Sequence, residues 1–372
     1  MKTSEVVVVG GGVIGASVAF FLAREGIEVT LLERDALASG ASGAAAGMLM
    51  PTGEAASAGT FLAWAQRSLD GFETLASELL ERSGVDCEFV RSGTLRIALS
   101  AEEASLLRDP VESLEGSRLE WLDARAVATL EPLATPDALG GVWSPDDAHV
   151  RSPLLTRAYA AAARRLGARI EGGTEATGLR VAGGRVTGVT TSGGVWSTSR
   201  AILCAGAWSG SGRVWPEGLP TPPVEPVRGQ ILSVEAPTPS PATIVWGLGG
   251  YVVPKRDGSL VIGATEERVG FDARVTADGL STLLDRGRTL VPAVSDCTFR
   301  SAWAGLRPGS PDGLPLVGPV PAVEGLALAT GHHRNGVLLS PVTGRLIADW
   351  VAGKDVPEDA RAFLPSRFEG LA

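Results

Sequence analysis

The sequence predicts an α/β fold in which a discontinuous domain, built on a parallel sheet, is interrupted by a mainly antiparallel β insertion. Three observations carry that prediction. Val6, Val7, Val8 and Val9 are four β-branched residues in a row, fit for a central parallel strand covered on both faces. Glycines stand at Gly10, Gly12 and Gly15, just before a helical run that reaches Arg24. Further helix and strand signals recur in the middle of the chain and near its end, separated by stretches of short strands and turn residues.

In order, the first strand leads through Gly10-Gly11-Gly12-Val13-Ile14-Gly15 into the helix, then a turn at Gly26 and a second strand over 28–32 that ends at Glu33. This strand, GxGxxG, helix and acid-ended strand is the Rossmann-type dinucleotide signature. Gly10 permits the tight turn, Gly12 lets backbone approach a pyrophosphate at the helix N-terminus, and Gly15 lets helix and strand pack closely. Glu33, 18 residues beyond Gly15, is placed to accept hydrogen bonds from an adenosine ribose. The motif does not choose between NAD and FAD, while an acid at this position disfavours NADP. Residues 39–48, SGASGAAAGM, are small almost throughout. They read either as a flexible linker or as a segment that lets a long cofactor thread close to backbone.

Apolar residues at helical spacing predict one long helix over 60–83, and 88–99 alternates like a strand. Short helical pieces fill 101–131. Ser152 opens a helix to Leu166 with Pro153 in its first turn. Strands are expected over 169–171, 186–191, 201–203 and 227–234, the last inside a proline-rich crossover over 216–241. A hairpin pairs 250–254 with 260–265 around Asp257-Gly258. A helix over 277–290, a strand over 297–306 and a final helix over 336–351, capped by Asn335, complete the chain. There is no internal repeat.

With 372 residues, 44% apolar and 20% charged, the chain is globular and long enough for two domains. Its net charge of −9 and its lack of a basic run argue against nucleic acid. Cys87, Cys204 and Cys297 are odd in number and far apart, which fits a reducing cytoplasm better than a disulfide framework. No CxxC, HxH or HExxH spacing occurs, so no metal site is expected. Val6 to Ala23 holds Ser17 as its one polar residue, but three consecutive glycines interrupt it and Glu5 precedes it. It reads as a buried strand and helix, not a membrane span or signal peptide.

WAGLRPG at 303–309 places the Arg307 guanidinium among apolar neighbours. Either Arg307 turns to solvent as a surface or capping residue, or something anionic meets it.

The chain resembles the glycine oxidase branch of the D-amino acid oxidase and sarcosine oxidase superfamily. The likeness rests on VVVVGGGVIGASVAFFLA, SGAAAGML, ILCAGAWS, PVRGQIL, YVVPKRDGSLVIGATEERVGFD, WAGLRPGSPDGLPLVGP and GHHRNGVLLSPVTGRLIADW, in one order over nearly the whole chain. It implies an FAD-binding Rossmann-type domain from 1–84, 146–220 and 305–372, and a substrate-binding domain from 85–145 and 221–304. It implies FAD contacts at Gly10, Gly12, Val13, Ile14, Gly15, Glu33, Arg34, Ser42, Ala45, Ala46, Gly47, Met48 and Gly206. The turn over 331–338, with His333, Arg334, Asn335, Gly336, Val337 and Leu338, should deliver backbone amides to the isoalloxazine. Tyr251 and Arg307 correspond to the pair that holds the substrate carboxylate, and Arg334 to a further arginine above the flavin. No cysteine follows Cys297, so the FAD is expected to be non-covalent. Homo-oligomers and O2 as electron acceptor are also implied.

Within that resemblance the catalytic set is Tyr251, Arg307 and Arg334, with no protein base required for hydride transfer from a neutral amine. His332 and His333 are adjacent, point to opposite sides of extended chain, and read as packing and solvation. Two departures bear on substrate. Gly247-Leu248-Gly249-Gly250 is nearly bare of side chains, and Glu266 and Glu267 follow the strand end near the pocket mouth. Gly249 and Glu266 therefore join the expected substrate set, and the expected substrate is glycine or a bulkier N-substituted glycine, oxidised to the imine and then to glyoxylate and ammonia or an amine. D-amino acid or sarcosine oxidase or dehydrogenase activity shares this fold; a non-catalytic dinucleotide-binding protein shares only the cradle. Thiazole formation for thiamine and a secondary-metabolite pathway remain alternatives.

Overall fold

In the computed structural model, residues 2–54, 59–114, 117–247 and 249–371 are described. The first run of valines becomes the strand Val6–Val9, exposed by no more than 6% at any position. It sits inside a six-stranded sheet ordered Leu316–Pro319, Leu326–Thr330, Arg200–Leu203, Val6–Val9, Val29–Leu32 and Arg169–Glu171. All neighbours are parallel except the pair at the Leu316–Pro319 edge. Parallel pairing buries both faces, which is why these strands read as continuous apolar runs.

The glycine motif opens the helix Val13–Arg24, of which all residues but the last are buried. It packs against Ser152–Arg165 and Gly336–Val351. A Cβ at Gly344 would lie 2.4 Å from Ser17 Oγ, so glycine is what lets the first and last helices meet. The buried polar atoms there are satisfied: Ser17 Oγ donates to Ser340 O at 2.7 Å, and Tyr159 Oη lies 3.3 Å from Ser340 Oγ.

The second large sheet has eight strands, ordered Phe299–Gly309, Glu225–Glu235, Ser259–Gly263, Gly250–Pro254, Ile244–Gly247, Thr94–Ala98, Gly140–Ser144 and Glu120–Asp123. Its pairs are antiparallel except Ile244–Gly247 with Thr94–Ala98. The helix Ala277–Leu290 covers it, with Leu283 and Leu290 in a core shared with Leu232, Val252 and Ile262. The α/β class with a mainly antiparallel β part is therefore the fold. The strand Phe299–Gly309 runs unbroken through residues 304 and 305, and keeps Arg307 on one element with Trp303.

Several elements differ from expectation. The helix over 60–83 is two helices, Thr60–Asp70 and Phe72–Ser83, which meet at Gly71 (φ −83, ψ −8), with Phe72 buried in the core. The strand over 88–99 shortens to Thr94–Ala98, with Val90 bridging His149 alone. Asn335 precedes the last helix, but its side chain makes no capping bond; its carbonyl accepts from Leu339 N–H at 2.8 Å. A further four-stranded sheet, Lys2–Thr3, Gly194–Ser197, Arg185–Thr191 and Ala176–Ala182, carries more strand than the sequence signals showed. Leu248, part of the bare stretch before Tyr251, lies outside the described residues.

Candidate functional site

Gly10 takes φ +111, and a Cβ there would lie 2.4 Å from Cys204 O. Gly15 turns its missing side chain on Gly10 O, at 1.9 Å, so the first helix begins against the strand end with no room for a methyl group. Ser42 Oγ accepts from Val13 N–H at 2.8 Å and holds the segment 39–48 to the helix N-terminus. Glu33 accepts from Gly11 N–H at 2.6 Å and from Asp35 N–H at 2.8 Å. Two backbone donors thus aim a carboxylate into the groove, and the positive end of the helix dipole lies beside it.

From there a cavity of 310 Å³ runs past the six-stranded sheet to the second sheet. Its walls include Gly12, Val13, Ile14, Glu33, Arg34, Ser42, Ala45, Ala46, Gly47, Met48 and Gly206, and also Tyr251, Arg307, His333, Arg334, Gly336 and Val337, with Ala46 and Met48 packed in one cluster with Tyr251. Gly15 lies beneath the wall against Gly10 O, while Asn335 and Leu338 are not lining residues. The backbone donors, half-buried acid and small-residue flank fit a long dinucleotide. Trp208, ranged against Arg34 with its guanidinium carbon 5.0 Å from the ring centroid, adds an aromatic wall near Glu33. Its place in ILCAGAWS was the one sequence signal for it.

The small-residue segment has a structural partner that sequence reasoning missed. Gly305 would bring a Cβ within 2.5 Å of Ala44 Cβ, and Trp303 Nε1 donates to Ala44 O at 3.1 Å. Lys255 Nζ donates to Ala46 O at 2.6 Å and to Val150 O at 3.1 Å. Burial brings its pKa down to about 7. A lysine before Arg256-Asp257-Gly258 in a hairpin looks like surface, and only the register turns it inward.

Arg307 is half-buried, and its Nη1 donates to Thr265 O at 3.0 Å. On the next strand, two residues beyond Val227, its register partner, a Cβ at Gly229 would lie 2.4 Å from the guanidinium. Tyr251, 5% exposed, rests over Gly263, whose Cβ would meet its hydroxyl at 2.4 Å. Two glycines on neighbouring strands therefore form a floor on which the guanidinium and the phenol lie. Glu266 faces Arg334 at 3.8 Å and His333 Nε2 at 4.0 Å. His333 takes φ +46 and donates its backbone N–H to Pro308 O at 2.9 Å. Burial lowers its pKa to about 4 despite the Glu266 carboxylate. His332 Nε2 lies 3.0 Å from Thr343 Oγ1, and burial holds its pKa near about 3. Both imidazoles are neutral at pH 7.

A second cavity, of 360 Å³, adjoins the first and shares Tyr251, Arg307 and Arg334 with it. Gly249, Glu266, Arg96, Trp246 and Arg286 also line it. Among the described residues no group of three or more His, Cys, Asp or Glu could hold a metal, and no helix is long and apolar enough to cross a membrane.

The family model for FAD dependent oxidoreductases matches residues 5–350. A glycine oxidase of Geobacillus kaustophilus (strain HTA426) is 38% identical over 373 residues, covering 98% of this chain and 97% of that protein. A bifunctional ThiO/ThiG protein of Nostoc sp. (strain PCC 7120) is 37% identical over 94% of this chain, which spans 53% of that longer protein. The crystal structure of glycine oxidase from G. kaustophilus superposes with a TM-score of 0.95 and 36% identity over the whole of both chains. That of iminodiacetate oxidase from Chelativorans sp. BNC1 gives 0.86 and 27%, covering 97% and 98% of the two chains.

Proposed function

Because the chain belongs to the FAD dependent oxidoreductase family, we propose that it oxidises glycine or an N-substituted glycine at the α-carbon, with Arg307 and Tyr251 as the anchors of the substrate carboxylate. The observation that carries this reading is the pair itself, laid on Gly229 and Gly263 where the two cavities meet. Bound in the first cavity, FAD supplies a two-electron acceptor for the hydride of the substrate α-carbon.

The chain's own residues do the positioning. A guanidinium and a phenol together grip a carboxylate by charge-assisted bonds and fix the α-carbon in one orientation. Leu306 and Pro308, which line the first cavity beside Arg307, limit the water that would weaken that pair. With His332 and His333 neutral, neither imidazole adds a positive charge against binding of an amine. Gly10, Gly12, Val13, Ile14, Glu33, Arg34, Ser42, Ala45, Ala46, Gly47, Met48, Gly206, His333, Gly336 and Val337 line the cavity that takes the cofactor, while Gly15, Asn335 and Leu338 support it from outside the lining. Arg334, Gly249 and Glu266 border the substrate. Residues 1–84, 146–220 and 305–372 form the cofactor domain, and 85–145 with 221–304 the substrate domain.

The reaction balances with dioxygen as oxidant. An amine R–NH–CH2–COO⁻ and O2 give the imine and H2O2, and water then releases R–NH2 and glyoxylate. The names of the glycine oxidase and iminodiacetate oxidase relatives support this substrate class. We place the protein in the cytoplasm as a homo-oligomer, in keeping with its three free cysteines. The test is Arg307→Ala: substrate-dependent peroxide formation should lose about 10²–10³-fold in kcat/KM, from the loss of one buried charge-assisted pair, while bound flavin is retained. A variant that sheds its flavin yet keeps its KM would refute the assignment.

A further inference from the structure

The second cavity holds more cationic charge than a single carboxylate can use. Arg96, Arg286, Arg307 and Arg334 line it, against Glu266 as the acid among its lining residues. Glu266 is directed to Arg334 and His333. Arg96 is committed to structure: it donates to Thr52 O at 3.2 Å and to Thr52 Oγ1 at 2.7 Å, and faces the buried carboxyl of Asp147. Arg307 is the carboxylate anchor of the reading above. Arg286 is left over.

Arg286 comes from the helix Ala277–Leu290 and lies along the bare stretch before Tyr251. A Cβ at Gly250 would come within 3.1 Å of its Cδ, and one at Gly249 within 3.6 Å of its Cγ and Nε. The Arg286 side chain thus lies against the bare stretch, in ordinary contact range of position 249 and close to position 250, where Gly263 O also stands 2.6 Å from a Cβ. Its Nη1 donates to Ala264 O at 2.8 Å, and it forms no ion pair with any described residue. Of the five N–H donors that a guanidinium carries, four remain for a ligand. The cavity, at 360 Å³, lies in the range of about 300–1,000 Å³ typical of sites for ligands much larger than glycine. Trp246 and Ile97 give it apolar lining.

We propose that this cavity is a subsite for an anionic N-substituent, with Arg286 as its recognition residue, so that the preferred substrates are N-(carboxyalkyl)glycines. The inference rests on the reading that Arg307 and Tyr251 hold the glycine carboxylate. A substrate with one carboxylate fills that clamp, displaces water from the second cavity and leaves Arg286 without a counter-ion, which is costly for a cation leaving water. A second carboxylate on a short alkyl arm supplies the counter-ion and accepts two parallel N–H bonds.

The experiment compares kcat/KM of the holoenzyme for N-(2-carboxyethyl)glycine and for its neutral isostere N-(2-carbamoylethyl)glycine, with glycine and sarcosine as references. The acid should be favoured over the amide by about tenfold or more, and the ratio should fall as salt is raised. Arg286→Gln should bring the ratio to about one, and Arg286→Lys should restore part of it. An amide used as well as the acid by the wild type overturns the subsite, as does a ratio that survives Arg286→Gln. Should that variant fail to fold, the wild-type ratio and its salt dependence decide alone. If none of the four compounds reduces the flavin under anaerobic conditions, the glycine-oxidising reading falls with it; an active enzyme indifferent to the distal charge removes only the subsite.

Discussion

The cofactor cradle and the substrate floor both depend on glycine, yet for opposite reasons. In the cradle, Gly10 and Gly15 remove side chains so that backbone meets backbone: Gly15 faces Gly10 O, and Gly10 faces Cys204 O. Recognition there falls to peptide N–H groups, a helix end and one oriented acid, Glu33. On the eight-stranded sheet, Gly229 and Gly263 remove side chains so that the large polar side chains of Arg307 and Tyr251 can lie flat across the strands. Arg286 lies along Gly249 and Gly250, with Gly250 also pressed against Gly263 O. The lesson is that glycine in a sheet marks a site as much by what it accommodates as by its own φ.

Three experiments press on that contrast, in descending order of effect. Gly15→Val places atoms where Gly10 O already stands, so the fold should lose several kcal/mol, on the order of an overpacked core or more, and purify without flavin. Thermal unfolding and the visible flavin spectrum would show it; a yellow, stable variant would break the backbone-contact account of the cradle. Gly229→Ala should be milder. Its Cβ, 2.4 Å from the guanidinium, displaces a flexible side-chain end, so flavin stays bound while KM for a carboxylate substrate rises about 10- to 100-fold, for 1–3 kcal/mol of mispositioned pairing. Equal loss of flavin and of substrate affinity would erase the distinction between the two regions.

The smallest effect concerns protonation. Burial lowers the pKa of His149 and His332 to about 3 and of His333 to about 4, so the folded protein keeps them neutral. The unfolded chain protonates them near the ordinary histidine value of about 6.5. Below that pH the unfolded state binds more protons, so this stability is complete above about 6.5 and declines as pH falls toward 4. Urea midpoints at pH 7 and pH 5 should differ in that direction, and His333→Gln should flatten the slope. A midpoint that does not fall between those pH values contradicts the assignment of neutral histidines.

Much of this was legible in the residues. Val6–Val9, the glycine spacing and Glu33 identify the cradle because each requirement is local: branched side chains for a strand, a positive φ at Gly10, an acid at a strand end. The last helix, Gly336–Val351, came from periodicity alone. Less was legible where two distant segments meet. Periodicity over 60–83 did not reveal that Gly71 divides the helix, since an apolar stripe continues across a break that only the core imposes. The bare stretch before Tyr251 looked like an opened entrance, whereas Arg286, 36 residues beyond Gly250, lies along it.

The sequence by itself therefore determined the α/β class and the cofactor cradle, and it marked Arg307 as a guanidinium set among apolar neighbours. The tertiary structure alone decided which glycine lies under which side chain, why Lys255 turns inward to the carbonyls of Ala46 and Val150, and that four guanidinium groups share one cavity. The division has a physical basis. Backbone preference and hydrophobic period are set by neighbours within a few residues. Strand register, by contrast, emerges from pairing across the whole sheet, and a slip of one residue would turn every side chain to the opposite face.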